Sequence, residues 1–144
     1  MAQSPSTPDT NGFLLRKSSP PVLWSKGRIS QIAEVQGARM IYMSGQVPVD
    51  ERYVVHSTDF RDQANKVFDN IEAGLATVGA GLDHMVKMTT FITDEANIPA
   101  LREVRAVRLG KLDTPPCNTL LVVRRLAEPE FQIEIEVVAA VPLD

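Results

Sequence analysis

The sequence predicts an α+β domain in which a single sheet carries two helices on one face. Three observations support this: two stretches with apolar residues at three- and four-residue spacing, β-prone runs around them in the order β-β-(β)-α-β-α-β-β, and no internal repeat. With 144 residues, 44% hydrophobic and 23% charged, the chain suits one domain that removes about 70% of its unfolded surface from water.

Residues 1–23 read as a flexible extension. Ser4, Pro5, Ser6, Thr7, Pro8 and the run Ser18-Ser19-Pro20-Pro21 surround a lone apolar patch, Phe13-Leu14-Leu15, a composition that buries little surface. The domain is expected to span 24–144, starting near Trp24. A loose alternation from Arg28 to Val35 ends at Gly37, and Arg39-Met40-Ile41-Tyr42-Met43-Ser44 stops at Gly45. The two runs are expected to form a hairpin about the first glycine, extended by a short third strand at Tyr53–His56.

The first helix is the clearest element. Phe60, Ala64, Val67, Phe68, Ile71, Leu75 and Val78 fall on one stripe, with Arg61, Gln63, Lys66, Asp69 and Glu72 between them. Thr58 or Asp59 can cap its start, and Gly79 and Gly81 its end. Met85 to Thr93 is a β-branched strand, which makes a βαβ unit with what precedes it. The second helix opens at Asn97 and Pro99, buries Ile98, Leu101, Val104, Val107 and Leu112, and turns the row Arg102, Arg105, Arg108 to solvent; Asp113-Thr114-Pro115-Pro116 breaks it. Asn118–Arg124 and Phe131–Val141 are the last two strands.

Two helices cover only one side of such a sheet, so the other side exposes apolar residues unless copies of the chain pack together. A homo-oligomer is the expectation.

Fifteen Lys and Arg against 18 Asp and Glu leave a net charge of −3, poor electrostatics for RNA or DNA. One cysteine, Cys117, excludes an internal disulfide, and His56 and His84, distant in sequence, do not suggest a metal site. Both histidines read as surface residues. No apolar run reaches the length of a membrane span, and the N-terminus lacks a secretory pattern, so the expected location is the cytoplasm, without membrane or nucleic-acid partners.

A Gly-rich phosphate loop after a strand and a G-x-S-x-G elbow are both absent from the sequence. Chemistry must come from strand ends, where polar residues stand in apolar surroundings: Ser44-Gly45-Gln46, Cys117-Asn118-Thr119, and Glu134 with Glu136. The two glutamates share a sheet face, opposite Ile133, Ile135 and Val137. If that face is covered, at least one carboxyl rises toward the range useful to a general acid or base; otherwise the pair is simply the polar side of an exposed strand. Ser44-Gly45 likewise reads as a ligand contact or as a turn. Cys117 lacks an activating neighbour in sequence and reads as an inert thiol.

Together these segments resemble the Rid/YjgF (RutC-like) family of enamine and imine deaminases. The resemblance rests on Ile41-Tyr42-Met43-Ser44-Gly45-Gln46-Val47-Pro48-Val49, the helix Gln63 to Leu75, Val86-Lys87-Met88-Thr89-Thr90-Phe91-Ile92-Thr93-Asp94, and Ile133-Glu134-Ile135-Glu136-Val137-Val138-Ala139. It implies a chorismate-mutase-like trimer with sheets packed inward and sites in the clefts between subunits. It also implies hydrolysis of a 2-imino acid without cofactor or metal, a small-molecule substrate, Glu134 and Ser44 as catalytic residues, and Gly45, Asn118, Thr119 and Phe91 as substrate contacts. Two positions depart from the family pattern. Asn118 stands where the family has the arginine that clamps the substrate carboxylate, and Ile29 replaces an aromatic residue ahead of Ser30-Gln31. Asparagine lacks the charge-assisted fork of arginine. Three readings stay open: the substrate presents a neutral group to Asn118, another base such as Arg28, Arg39 or Lys87 is the clamp, or the cleft binds a ligand without turning it over.

Overall fold

A computed structural model describes residues 7–143. Eight elements are regular over more than one short turn: strands β1 (Leu14–Ser18), β2 (Ile32–Gln36) and β3 (Ala38–Gln46), helix α1 (Phe60–Ala76), strand β4 (Met85–Ile92), helix α2 (Ile98–Leu109), and strands β5 (Cys117–Val122) and β6 (Ile133–Pro142). Short 3-10 turns, Leu82–His84 and Glu95–Asn97, lead into β4 and α2.

The main sheet has the order β3-β6-β4-β5. Strand β6 runs antiparallel to both β3 and β4, which are therefore parallel to each other, joined by α1 and split by β6. Strands β4 and β5 are directly parallel neighbours with α2 as the crossover. Both helices cover one face. Val67, Phe68, Ile71 and Leu75 of α1, and Leu101 and Val104 of α2, pack with Met88 and Ile92 of β4 and Ile133, Ile135, Val137 and Ala139 of β6. This is the α+β arrangement expected from sequence.

Helix α1 begins where expected: the Asp59 side chain accepts from the amides of Arg61 and Asp62 at 2.8 and 3.1 Å. Gly79, at φ +75°, turns the chain after it. Gln63, read as part of the polar side, is instead 2% exposed. Its amide donates to the carbonyls of Ser57 and Glu130 and accepts from Gln132 N–H, so all its polar atoms are matched inside the fold.

Four other expectations change. Residues 14–18, assigned to the extension, form β1, which pairs antiparallel with β2 as a two-stranded ribbon; Lys17, 8% exposed, donates to the Asp83 carbonyl at 3.0 Å. Residues 1–6 lie outside the described residues. The runs on either side of Gly37 do not form a hairpin, because one residue is too few to reverse a strand. Gly37 takes φ +58°, and a Cβ there would stand 2.4 Å from the Gly12 carbonyl oxygen; the chain bends at this point and passes from the ribbon into the main sheet. Residues 53–56 make only an isolated bridge, Val49 to Val55, since three hydrogen bonds to the Asp50 side chain fold this stretch into a loop. The arginine row of α2 is not simply solvated. Arg108 pairs with Asp69 at 2.7 Å and with Glu72, both on α1, and Arg105 is largely withdrawn from water, whereas Val107 is 75% exposed.

Candidate functional site

The sheet face opposite the helices holds most of the residues singled out by sequence. In β6, Ile133, Ile135 and Val137 are buried under the helices while Glu134 is half-buried and Glu136 exposed on the other side. Phe91 stands directly across from Glu134, and Thr89 from Glu136. Thr119 of β5 is in register with Thr89, and its hydroxyl accepts from Lys87 Nζ at 2.6 Å.

The centre of this face is the contact between Glu134 and Gly45. A Cβ at position 45 would lie 1.9 Å from Glu134 Oε1 and 2.7 Å from its Cδ, so the carboxyl occupies the space a side chain would fill. A register shift in the β3–β6 pairing between Met43 and Gln46 brings this about, and leaves Ser44 exposed beside it. Burial pushes the Glu134 carboxyl above its ordinary value, and the negative charge of Glu136 pushes it the same way. Glu134 enters none of the ion pairs formed among the described residues. The arrangement therefore presents a carboxyl of raised basicity next to an aromatic ring, a hydroxyl-bearing residue and open backbone.

Asn118 is placed differently. It is in register with Met88, which is buried under the helices, and its side-chain oxygen accepts from the Thr90 hydroxyl at 3.0 Å. Thr90 is fully buried. Within one chain Asn118 and Glu134 thus lie on opposite sides of the sheet. Of the alternative cations, Lys87 shares the face of Glu134, Arg39 donates to the Val78 carbonyl at 3.0 Å, and Arg28 lines a cavity beside α2.

Burial pushes the Cys117 thiol up, more than Lys87 and Lys17 draw it down, which disfavours the thiolate form. His56 is tied to Asp50 at 2.8 Å, and His84 Nδ1 accepts from Gly81 N–H at 3.0 Å. No group of three or more His, Cys, Asp or Glu among the described residues could hold a metal ion. No helix among the described residues is long and apolar enough to cross a membrane.

A sheet covered by helices on one face, with a carboxyl on the other, is the frame of a particular small-protein class, and sequence comparison gives the class a name. The sequence model described as Endoribonuclease L-PSP matches residues 24–141. The chain belongs to that family, also known as the Rid/YjgF/RutC family. A RutC family protein of Pyrococcus abyssi is 31% identical over 114 residues, 78% of this chain and 86% of that protein. TdcF of Escherichia coli, whose name gives it as a candidate reactive intermediate deaminase, is 31% identical over 101 residues, 69% of this chain and 78% of its own length. Among solved structures, the Rid family protein YyfB of Yersinia pestis superposes with a TM-score of 0.79 at 26% identity, covering 88% of this chain and 98% of that one. The YjgF gene product of E. coli gives 0.64 at 26% identity, with 72% and 85% covered.

Proposed function

We propose that this chain is a cofactor-free hydrolytic deaminase of enamines or imines. The observation that carries this reading is the Glu134 carboxyl, raised in basicity and seated over Gly45 across from Phe91. In the reaction, Glu134 removes a proton from water as the water oxygen attacks the carbon of the C=N bond, and passes that proton to the substrate nitrogen. Glu134 then takes the hydroxyl proton of the resulting carbinolamine and delivers it to the nitrogen as the C–N bond breaks, so that one water is consumed and one ammonia leaves with a carbonyl product. Ser44 and the Gly45 backbone border the carboxyl and hold the substrate; Phe91 and Thr119 form the wall.

The same reading makes the protein a homo-oligomer, a trimer by family resemblance. Tyr42, 78% exposed, Met40, 38%, and Leu121, 40%, lie in strands whose other side is covered, an apolar surface that a second copy would bury. An Asn118 that contacts substrate at Glu134 must then come from a neighbouring subunit, because its own chain's sheet separates the two. The test is ammonia release from 2-aminoacrylate and from enzymatically generated 2-imino acids, with wild type and Glu134→Gln compared. Turnover by the wild type that the variant loses supports the proposal. Equal turnover by both removes Glu134 from the mechanism, and a silent wild type that still binds these compounds makes the chain a ligand-binding module.

A further inference from the structure

On the helix side of the molecule, away from Glu134, a cavity of about 520 Å³ opens between α2 and the loops around Arg28 and Asp113, a volume within the usual range for small-molecule sites. Arg105 projects into its lining. Its Nε is shielded from solvent and has no hydrogen-bond partner, and its one hydrogen bond among the described residues is a long contact, 3.4 Å, from Nη2 to the Arg28 carbonyl. None of the ion pairs among the described residues includes it. Burial alone works against its charge, yet a guanidinium keeps its proton under ordinary conditions.

The remaining wall fixes the kind of ligand. Arg28 and Arg102 add two positive charges. Of the two lining carboxylates, Glu103 is already paired to Arg61 at 2.6 Å, and Asp113 enters no ion pair. Leu109 and Leu112 provide an apolar floor. A desolvated cation without a counter-charge is costly, and an anion entering the cavity relieves that cost. We propose that this cavity is a binding site for a small organic carboxylate, with Arg105 holding the carboxylate and Leu109 and Leu112 the apolar body. This site is separate from the Glu134 face and does not depend on the deaminase reading.

The probe is benzoate, titrated into the full chain by calorimetry, with benzyl alcohol and inorganic phosphate as controls. The expected result is saturable benzoate binding, at least tenfold weaker in Arg105→Met, and little or no binding of benzyl alcohol. Because Arg105→Met could perturb α2, Ala106→Phe serves as a second variant; it leaves the arginine in place and fills the cavity from its wall, and it should weaken benzoate to a similar degree. Phosphate binding as tightly as benzoate would overturn the organic-carboxylate assignment. Absence of saturable benzoate binding, or equal binding by the wild type and both variants, would overturn the site.

Discussion

The Glu134 carboxyl and the Cα of Gly45 are packed so closely that a methyl group on the glycine would stand 1.9 Å from Glu134 Oε1. No side chain fits at position 45 while Glu134 keeps its place. Gly45→Ala is therefore expected to swing Glu134 out and to lower turnover in the proposed deaminase reaction nearly as far as Glu134→Gln, about 10²- to 10⁴-fold. Steady-state ammonia release by both variants measures this; full activity in Gly45→Ala would show that the placement of the carboxyl is unimportant.

The raised basicity of Glu134 has a definite pH signature. A carboxyl that titrates higher in the folded than in the unfolded chain contributes stability that is complete below the unfolded value, near 4.5, and lost as pH rises through the folded one. Glu134→Gln should thus match the wild type in denaturation midpoint at low pH and exceed it at neutral pH. Under the proposed mechanism turnover needs the ionised base, and it should instead rise with pH across the same window. Chemical denaturation and rate profiles from pH 4 to 8 test the two signs together.

Asp50 carries the opposite signature. Hydrogen bonds from His56, Val54 and Arg52 hold its carboxyl down at about 2, so the stability it contributes is present above the unfolded value of 3.8 and lost as pH falls toward 2. Asp50→Ala should free the 50–56 loop, including Tyr53, which sits at φ 65° with its ring edge-on to Phe131 at 5.9 Å. Hydrogen exchange at the amides of Arg52 and Val54 should accelerate in the variant. Unchanged protection would mean that the ring contact alone fixes the loop.

Asn118 has a structural partner whatever else it contacts. Asn118→Ala removes the acceptor of the fully buried Thr90 hydroxyl, and an unsatisfied buried donor costs about 1–3 kcal/mol. The double variant Thr90→Val/Asn118→Ala should recover much of that loss, which urea denaturation can measure. If the single variant is as stable as the wild type, the bond carries no weight.

Assembly through the uncovered sheet face requires a particle heavier than the 15.8 kDa chain, three times heavier for a trimer. Tyr42→Asp places a charge in that surface and should shift sedimentation toward the monomer. A wild type that sediments as a monomer would remove the shared cleft along with the trimer.

What the sequence made legible followed from local periodicity. Helix α1 shows because Phe60, Ala64, Val67, Phe68, Ile71 and Leu75 repeat with the turn of the helix and Asp59 caps it. The alternation around Glu134 shows because β6 is buried on one side only. Features set by distant contacts did not show. Strand β1 is held by β2 and by the anchor from Lys17 to the Asp83 carbonyl, neither of which marks the composition of residues 14–18. Arg105 looks like any surface arginine until the loops around Arg28 and Asp113 close over it. Asn118 could be aligned to a motif, but which way it faces depends on its register with Met88.

The strand order β3-β6-β4-β5 also constrains how the molecule can be made. One of the two interior positions of the sheet belongs to β6, residues 133–142, and both of its neighbours, β3 and β4, lie far back in the chain. Until that segment joins the sheet, β3 and β4 have no strand between them and α1 lacks part of the surface it packs on. Nucleation must therefore join distant parts of the chain, which favours slow folding. A nascent chain stalled before residue 133 should stay sensitive to protease along its whole length.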